Sequence, residues 1–272
     1  MPRTTFTVLS WNTWGAMRFA EAVQFLESVR KDVDVFALQD VCSAPNSSGQ
    51  TLHSGERADF MQLLQKEILP DHEGFFVPYI SDIGTWDSKI DPPLSFGMAT
   101  FVRRTIPVID TGFTLIHSHP KAVLPGKGGT VPRYLAHVTL DMGSEQALTV
   151  ANYHGLWTPN NPDGTSSKGD TPERLEQSKK VREVFDRFAG EKLLCGDLNL
   201  RPDTESFDLM RKNLRSPLTE RNIANTRSNI HYKKAERFAD YILVSPGLDV
   251  QNFEVLQAHG ASDHLPLLLE IT

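Results

Sequence analysis

Short β-patterned runs far outnumber helical ones along this chain, and that imbalance constrains the fold more than any other feature. TFTVLSW, DVFALQ, LSFGMATFVRR, IPVIDTGFTLI, RYLAHVTLDM, ALTVANYH, EKLLCG, FADYILVS, LDVQNFEVLQ and LPLLLEI are each short, rich in β-branched and aromatic residues, and bounded by turn residues. Helical patterns alternate with some of them. Phe19, Val23, Leu26 and Val29 share one face; Phe60, Leu63 and Leu64 mark a second segment; Leu175, Val181, Val184 and Phe188 mark a third. The third is framed by Thr171 as N-cap and Pro172 at the first helical position, and PDTESFDLM reads as a further helix start. So many strands with so few helices predict an α/β chain in which two sheets pack together with helices outside. Neither a tandem repeat nor a Ser/Gly linker divides it, so one domain over residues 1–272 is expected.

At 272 residues and 39% hydrophobic, the chain has ample material for a core. The start MPRTTFTVLSW lacks a basic segment followed by an apolar stretch, and no apolar run approaches the roughly 20 residues of a membrane span. Cys42 and Cys195 form no CxxC pair, so both are expected as buried thiols of a reducing, cytoplasmic setting. The formal charge is −6 and the basic residues are scattered, which disfavours extended duplex binding, since phosphate contacts dominate that affinity. A bound cation would supply the positive charge that this count lacks.

Polar residues recur where the strand patterns end. They are Asn12 in LSWNTWG, Asp40 in ALQDV, His154 in ANYHG, Asp197 and Asn199 in GDLN, Asp240 in FADYILVS, and Asp263 with His264 in ASDHLP. GDLN alone is also plain turn chemistry, because Gly takes φ > 0 and Asp and Asn bond their own backbone. Repetition at many strand ends is instead the pattern of a site assembled across sheet edges. Carboxylates with an amide oxygen suit a hard cation such as Mg²⁺, which takes oxygen ligands at about 2.0–2.1 Å. Histidines without neighbouring cysteines suit acid, base or phosphate-contact roles better than structural zinc.

Taken in order from LSWNTW through LQD, NYH, GDLN and ADY to SDHLP, these motifs resemble the endonuclease/exonuclease/phosphatase superfamily of metal-dependent phosphohydrolases over essentially the whole chain. The resemblance implies a four-layer α/β/β/α sandwich of DNase I type. It also implies hydrolysis of a phosphodiester by in-line attack of water, with Mg²⁺, or Mn²⁺ in its place, as cofactor. Matched by motif, Asn12, Asp40 and Asp263 resemble the metal-site residues, Asn12 lying near the phosphate as well. Asp197 resembles the residue that orients or deprotonates the attacking water, with Asn199 positioning water and phosphate. Asp240 resembles the acid that bonds the histidine of SDH, His264, which contacts the scissile phosphate. His154 resembles a second phosphate or leaving-group contact. Where the family has Glu in LQE, this chain has Asp40. The shorter carboxylate must reach the ion through a water or draw the backbone inward. A catalytically weak or silent member that binds a phosphorylated ligand is the alternative that this departure raises.

Fold does not choose the substrate, because members act on DNA, RNA tails, protein–DNA linkages, sphingomyelin and inositol phosphates. Abasic-site members carry Trp-Arg-Leu before the DY acid, where this chain has Arg237, Phe238 and Ala239. With the acidic balance, that favours a single-stranded, terminal or small phosphodiester over a duplex, lipid headgroups and inositol phosphates being the alternative; a monomer is expected. Trp157 and Lys168, in the loop after His154, are candidates for stacking and phosphate contact, set against exposed loop residues without a role. Arg174 and Gln177 read either as braces for that loop or as solvated helix polarity. The segments 117–131 and 155–170 are long for loops. PGKGGT lacks the GxxxxGK[ST] spacing and reads as a flap. His117 and His119 read as solvated, and His53, His72, His137, His231 and His259 as surface or packing residues.

Overall fold

A computed structural model describes residues 5–81, 90–91, 93–118, 131–143, 146–158 and 168–272. The first sheet draws on β1 (Phe6–Asn12), β2 (Val35–Ser43), β3 (His72–Ile80), β4 (Ser95–Arg103), β10 (Val250–Val255) and β11 (Leu267–Ile271), in the order β10-β11-β1-β2-β4-β3. The second contains β5 (Val108–His117), β6 (Arg133–Gly143), β7 (Gln146–Tyr153), β8 (Glu191–Asp197) and β9 (Asp240–Val244), adjacent in that order. Among the described residues, β1–β2 and β7–β8 are the pairs that run parallel. The C-terminal ends of those four strands bring Asn12, Asp40, His154 and Asp197 to one edge of the sandwich.

Alternation explains the layering. Along β1, Val8 faces the opposite sheet, joining Val35, Ala37, Val102, Leu135, Val138, Val150 and Leu193 in the central core. Leu9 and Trp11 point the other way, packing with Phe25 and Leu26 of α1 (Phe19–Val29) and with Phe60 of α2 (Phe60–Leu63). Burying each such side chain is worth about 1.5–3 kcal/mol. The second sheet is covered by α3 (Pro172–Phe185), which sends Val181 and Phe185 into the core, and by α4 (Glu205–Met210), which sends Phe207 and Met210. A short α5 (Pro217–Glu220) lies against β9 and β10. The result is the α/β/β/α sandwich expected from the sequence.

Some expectations need correction. The strand β3 escapes the sequence pattern because Gly74 and Pro78 are poor strand residues. It is an edge strand, with a register shift between Pro78 and Ile80, and an edge is where a missing N–H is tolerated. The apolar face at residues 60–64 belongs to two segments, since α2 passes into a π-helical turn at Leu64–Ile68. Thr171 caps α3 as expected, accepting from Arg174 N at 3.3 Å, but Phe188 lies beyond the helix end. Cys42 and Cys195 are free and buried, and burial pushes both thiols up, which suits packing rather than reactivity. Among the described residues no helix is long and apolar enough to cross a membrane. His119 and PGKGGT lie outside the described residues, as do parts of both long loops.

Candidate active site

The centre of the site is the carboxylate of Asp197, delivered by the turn that ends β8. Gly196 has φ 142°, and a Cβ there would lie 1.9 Å from the carbonyl oxygen of Tyr153 on β7. Only glycine allows that approach, and it sets Asp197 beside the residue that follows β7, His154. Asn199, itself at φ 52°, donates its backbone N–H to Asp197 Oδ1 at 3.0 Å. The Gly-Asp-x-Asn turn is therefore turn chemistry and site construction at once.

Three side chains converge on the other oxygen. Asn12 Nδ2 donates to Asp197 Oδ2 at 3.1 Å, and the Nε2 atoms of His154 and His264 each lie 3.5 Å from it. Trp14 N donates to Asn12 Oδ1 at 2.9 Å, fixing which end of the amide faces Asp197. The two imidazoles are oriented from behind. His264 Nδ1 lies 2.8 and 2.9 Å from the oxygens of Asp240, and Thr226 Oγ1 donates to Asp240 Oδ2 at 3.0 Å. His154 Nδ1 lies 3.1 Å from Asp40 Oδ1 and 3.1 Å from the hydroxyl of Tyr79. Asp40 sits at a bulge in β2, between Gln39 and Val41, with φ 55°. Aspartate is one of the few side chains that accepts that left-handed conformation readily. Ser262 completes the edge: it donates to Asn12 O at 2.9 Å and accepts from His264 N at 3.0 Å.

Charge follows from this geometry. Burial alone would raise Asp197, but His264, His154, Arg227 and Lys168 outweigh it and hold the carboxyl well below the usual range. Asp40 shows the same contest, burial raising it and His154 winning, so it too is lowered. For His264, burial and Arg227 disfavour the cation, whereas Asp240, Asp263 and Asp197 favour it, and the net shift is upward. Arg227 Nη1 touches His264 Nε2, so the guanidinium and the imidazole line the cavity side by side.

A family profile matches residues 9–264, that of the Endonuclease/Exonuclease/phosphatase family. The chain belongs to this family. An endonuclease/exonuclease/phosphatase from Bacteroides vulgatus superposes with a TM-score of 0.67 at 16% identity, covering 99% of each chain. The human Nocturnin catalytic domain with bound sulfate gives 0.64 at 17% identity, over 98% of this chain and 93% of that one. A mannosyl-6-phosphatase from Bacteroides thetaiotaomicron gives 0.63 at 19% identity, over 98% and 99%. At such identities the likeness is one of fold, the DNase I-like sandwich. No curated protein sequence matches the chain.

All the family-motif residues meet in or directly behind one cavity of about 340 Å³, where Asn12, Asp40, His154, Asp197, Asp263 and His264 form the wall. Asp240 stands behind His264, and Asn199 behind Asp197. Asp263 does not stand alone: its Oδ2 accepts from Arg227 Nη1 at 3.0 Å. Trp157, 42% exposed, lines the rim. Lys168 departs from a solvated loop residue, being 7% exposed and donating to Phe238 O at 2.7 Å. Arg174 and Gln177 are fully buried braces: Arg174 donates to Leu156 O, Thr158 Oγ1 and Gly169 O at 3.2, 3.2 and 3.0 Å. Gln177 Oε1 accepts from Leu156 N at 2.9 Å and from the Tyr153 hydroxyl at 2.8 Å, so α3 holds the segment leaving His154.

Tyr79, Arg133, Thr226 and Arg227 line or support the cavity without a sequence signal, since a lone Tyr, Thr or Arg carries no spacing that marks it. The other described histidines are elsewhere. His72 bonds Val33 O, His137 pairs with Asp110, His231 bonds Gly260 O, His117 ends β5, and His53 and His259 are exposed.

Proposed function

We propose that the protein is a divalent-metal-dependent phosphoesterase that cleaves a phosphodiester by in-line attack of water, on single-stranded or terminal nucleic acid or on a small phosphodiester. The observation that carries this reading is the position of Asp197 Oδ2, 3.5 Å from the Nε2 of both His154 and His264. A carboxylate that is ionised at neutral pH and lies between two imidazoles is positioned to orient a water and take its proton, while the imidazoles are available to the phosphate.

In this mechanism Asp197 accepts the proton as the water oxygen forms its bond to phosphorus, Asn12 orients the water, and Asn199 holds Asp197 from behind through its backbone N–H. His264, held by Asp240, and Arg227 donate to the non-bridging oxygens, where charge accumulates. His154, held by Asp40 and Tyr79, gives its Nε2 proton to the leaving oxygen as the old P–O bond breaks. Most of the rate gain comes from positioning and fixed charge.

The donor set fits a hard cation. Asp197, Asp240 and His264 offer ligand atoms within 4.8 Å of one another, yet Asp240 already bonds His264 and Thr226, so that group suits a hydrogen-bonded charge pair better than an ion cage. Asp40, Asn12 and Asp263 offer oxygens around the cavity, and Asp263 Oδ1 is buried without a hydrogen-bond partner. These three would hold Mg²⁺ or Mn²⁺, which would supply Lewis acidity and a higher fraction of hydroxide.

The test is turnover of bis-p-nitrophenyl phosphate with Mg²⁺ or Mn²⁺, expected to stop on addition of EDTA. A panel of single-stranded, duplex, abasic and tyrosyl-linked oligonucleotides, phospholipid headgroups and inositol phosphates then ranks the substrates. No turnover of any of these esters with either metal would overturn the reading.

A further inference from the structure

Beyond His154 the cavity wall contains a buried arginine that forms no ion pair with a described residue. Arg133 opens β6, is 4% exposed, and shares the wall with Ile80, Phe96 and Val131, none of which offers a side-chain acceptor. Its guanidinium lies 5.6 Å from the centre of the Tyr79 ring. Its Nε is a buried donor without a partner, and no ion pair or side-chain hydrogen bond joins Arg133 to another described residue.

The other buried or half-buried arginines show how unusual this is. Arg103 is paired with Asp34 at 2.8 Å, Arg227 with Asp263 at 3.0 Å, and Arg174 bonds the two carbonyls and the hydroxyl named above. Arginine stays charged at any pH a folded protein meets, so Arg133 cannot escape its burial cost by losing a proton. A cation over a tyrosine face recovers only part of that cost. The carboxylate of Asp40, on which Arg133 acts, offsets a further part, and an anion bound in the cavity would offset more.

Arg133 also stands apart from the other cations of the site. The Tyr79 hydroxyl bonds His154 Nδ1 at 3.1 Å, so Arg133 lies one ring behind His154, on the side of Asp40. Its charge acts on Asp40 and Tyr79, whereas Arg227 and Lys168 act on Asp197. Arg133 thus enters the same cavity as Arg227 and Lys168 by way of different neighbours.

We propose that Arg133 forms a second anion subsite, and that the substrate carries a second phosphate on the leaving-group side of the one that is cleaved. The proposal rests on the phosphoesterase reading for which side is which, but the subsite can be tested without turnover. A phosphate there would receive the in-plane N–H pair of the guanidinium, a geometry that ammonium groups do not reproduce.

Two measurements decide it. The first is kcat/KM for thymidylyl-thymidine, unmodified, 5′-phosphorylated and 3′-phosphorylated. One phosphorylated form is expected to be at least tenfold better with the unmutated protein. That advantage should fall below about threefold in Arg133→Met and partly survive in Arg133→Lys. The second is metal-free calorimetry with pyrophosphate and orthophosphate, in which Arg133→Met should weaken pyrophosphate binding at least fivefold more than orthophosphate binding. Arg133→Gln and matched thermal melts guard against misfolding. If the binding pattern appears but no ester is turned over, the hydrolase reading falls and the subsite stands. If all three dinucleotides are cleaved in a ratio that Arg133→Met does not change, the subsite falls and the hydrolase reading stands; Arg133 then serves only the scissile phosphate or the fold.

Discussion

Asp40 Oδ1 lies 3.1 Å from His154 Nδ1, a contact made across the two sheets, from β2 to the end of β7. The short side chain of Asp40 leaves a backbone that bulges after Gln39 and turns left-handed, with φ 55°. Asp40 is thus a fitted residue. Asp40→Glu should crowd His154, weaken Mg²⁺ binding severalfold and lower turnover, as read by calorimetry and by rate at limiting metal. Tighter metal binding in the Glu variant would show that Asp40 is held short of its reach.

His264 and Asp240 are expected to act as one unit, since both Asp240 oxygens lie within 2.9 Å of His264 Nδ1. Asp240→Asn and His264→Ala should each cut kcat strongly, and the double variant should lose little more than the worse single. Multiplicative losses would mean that the two residues serve separate steps.

Lys168 provides a pH signature. Burial, with Arg227 next, holds its ammonium below the ordinary 10.5, at about 8. The charge is present below that pH and lost above it, so KM for a phosphodiester, whose own charge is constant in this range, should rise between about pH 7 and 9. Lys168→Met should lack that limb. The folded value lies below the unfolded one, so the unfolded chain binds more protons between the two, and stability from this group rises with pH over that window. Lys168→Met should therefore gain most over the unmutated protein near pH 7 and least near pH 10, in urea midpoints. A flat difference would remove the shift.

Much of this site was legible in the sequence because each strand pattern ends on a polar residue of a type that does chemistry, and the sandwich fold then brings those ends together. What was not legible depends on tertiary burial. Arg227 and Arg133 are long cations that ordinarily face water, and only the packed structure shows them inside; for Arg174 it is burial that chooses the brace over solvated helix polarity. Tyr79 was lost with β3, whose Pro78 and Gly74 hide an edge strand. The lone Thr226 has no pattern at all until Asp240 is seen beside it.

Gln177 offers a stability test remote from the chemistry. Gln177→Ala strands the buried Leu156 N–H and Tyr153 hydroxyl, and should cost about 1–3 kcal/mol in chemical denaturation. It should also raise the KM of the site that this segment borders. A loss under about 0.5 kcal/mol would mean that α3 does not brace the loop.

The central claim is that Asp197 accepts the proton of the attacking water. The direct measurement is kcat of Asp197→Asn on bis-p-nitrophenyl phosphate at saturating Mg²⁺, with metal affinity read in parallel by calorimetry. An amide of the same shape cannot take the proton, so turnover should fall by far more than tenfold, more than about 1.4 kcal/mol in barrier, while metal binding changes little. Turnover within tenfold of the unmutated protein would contradict it.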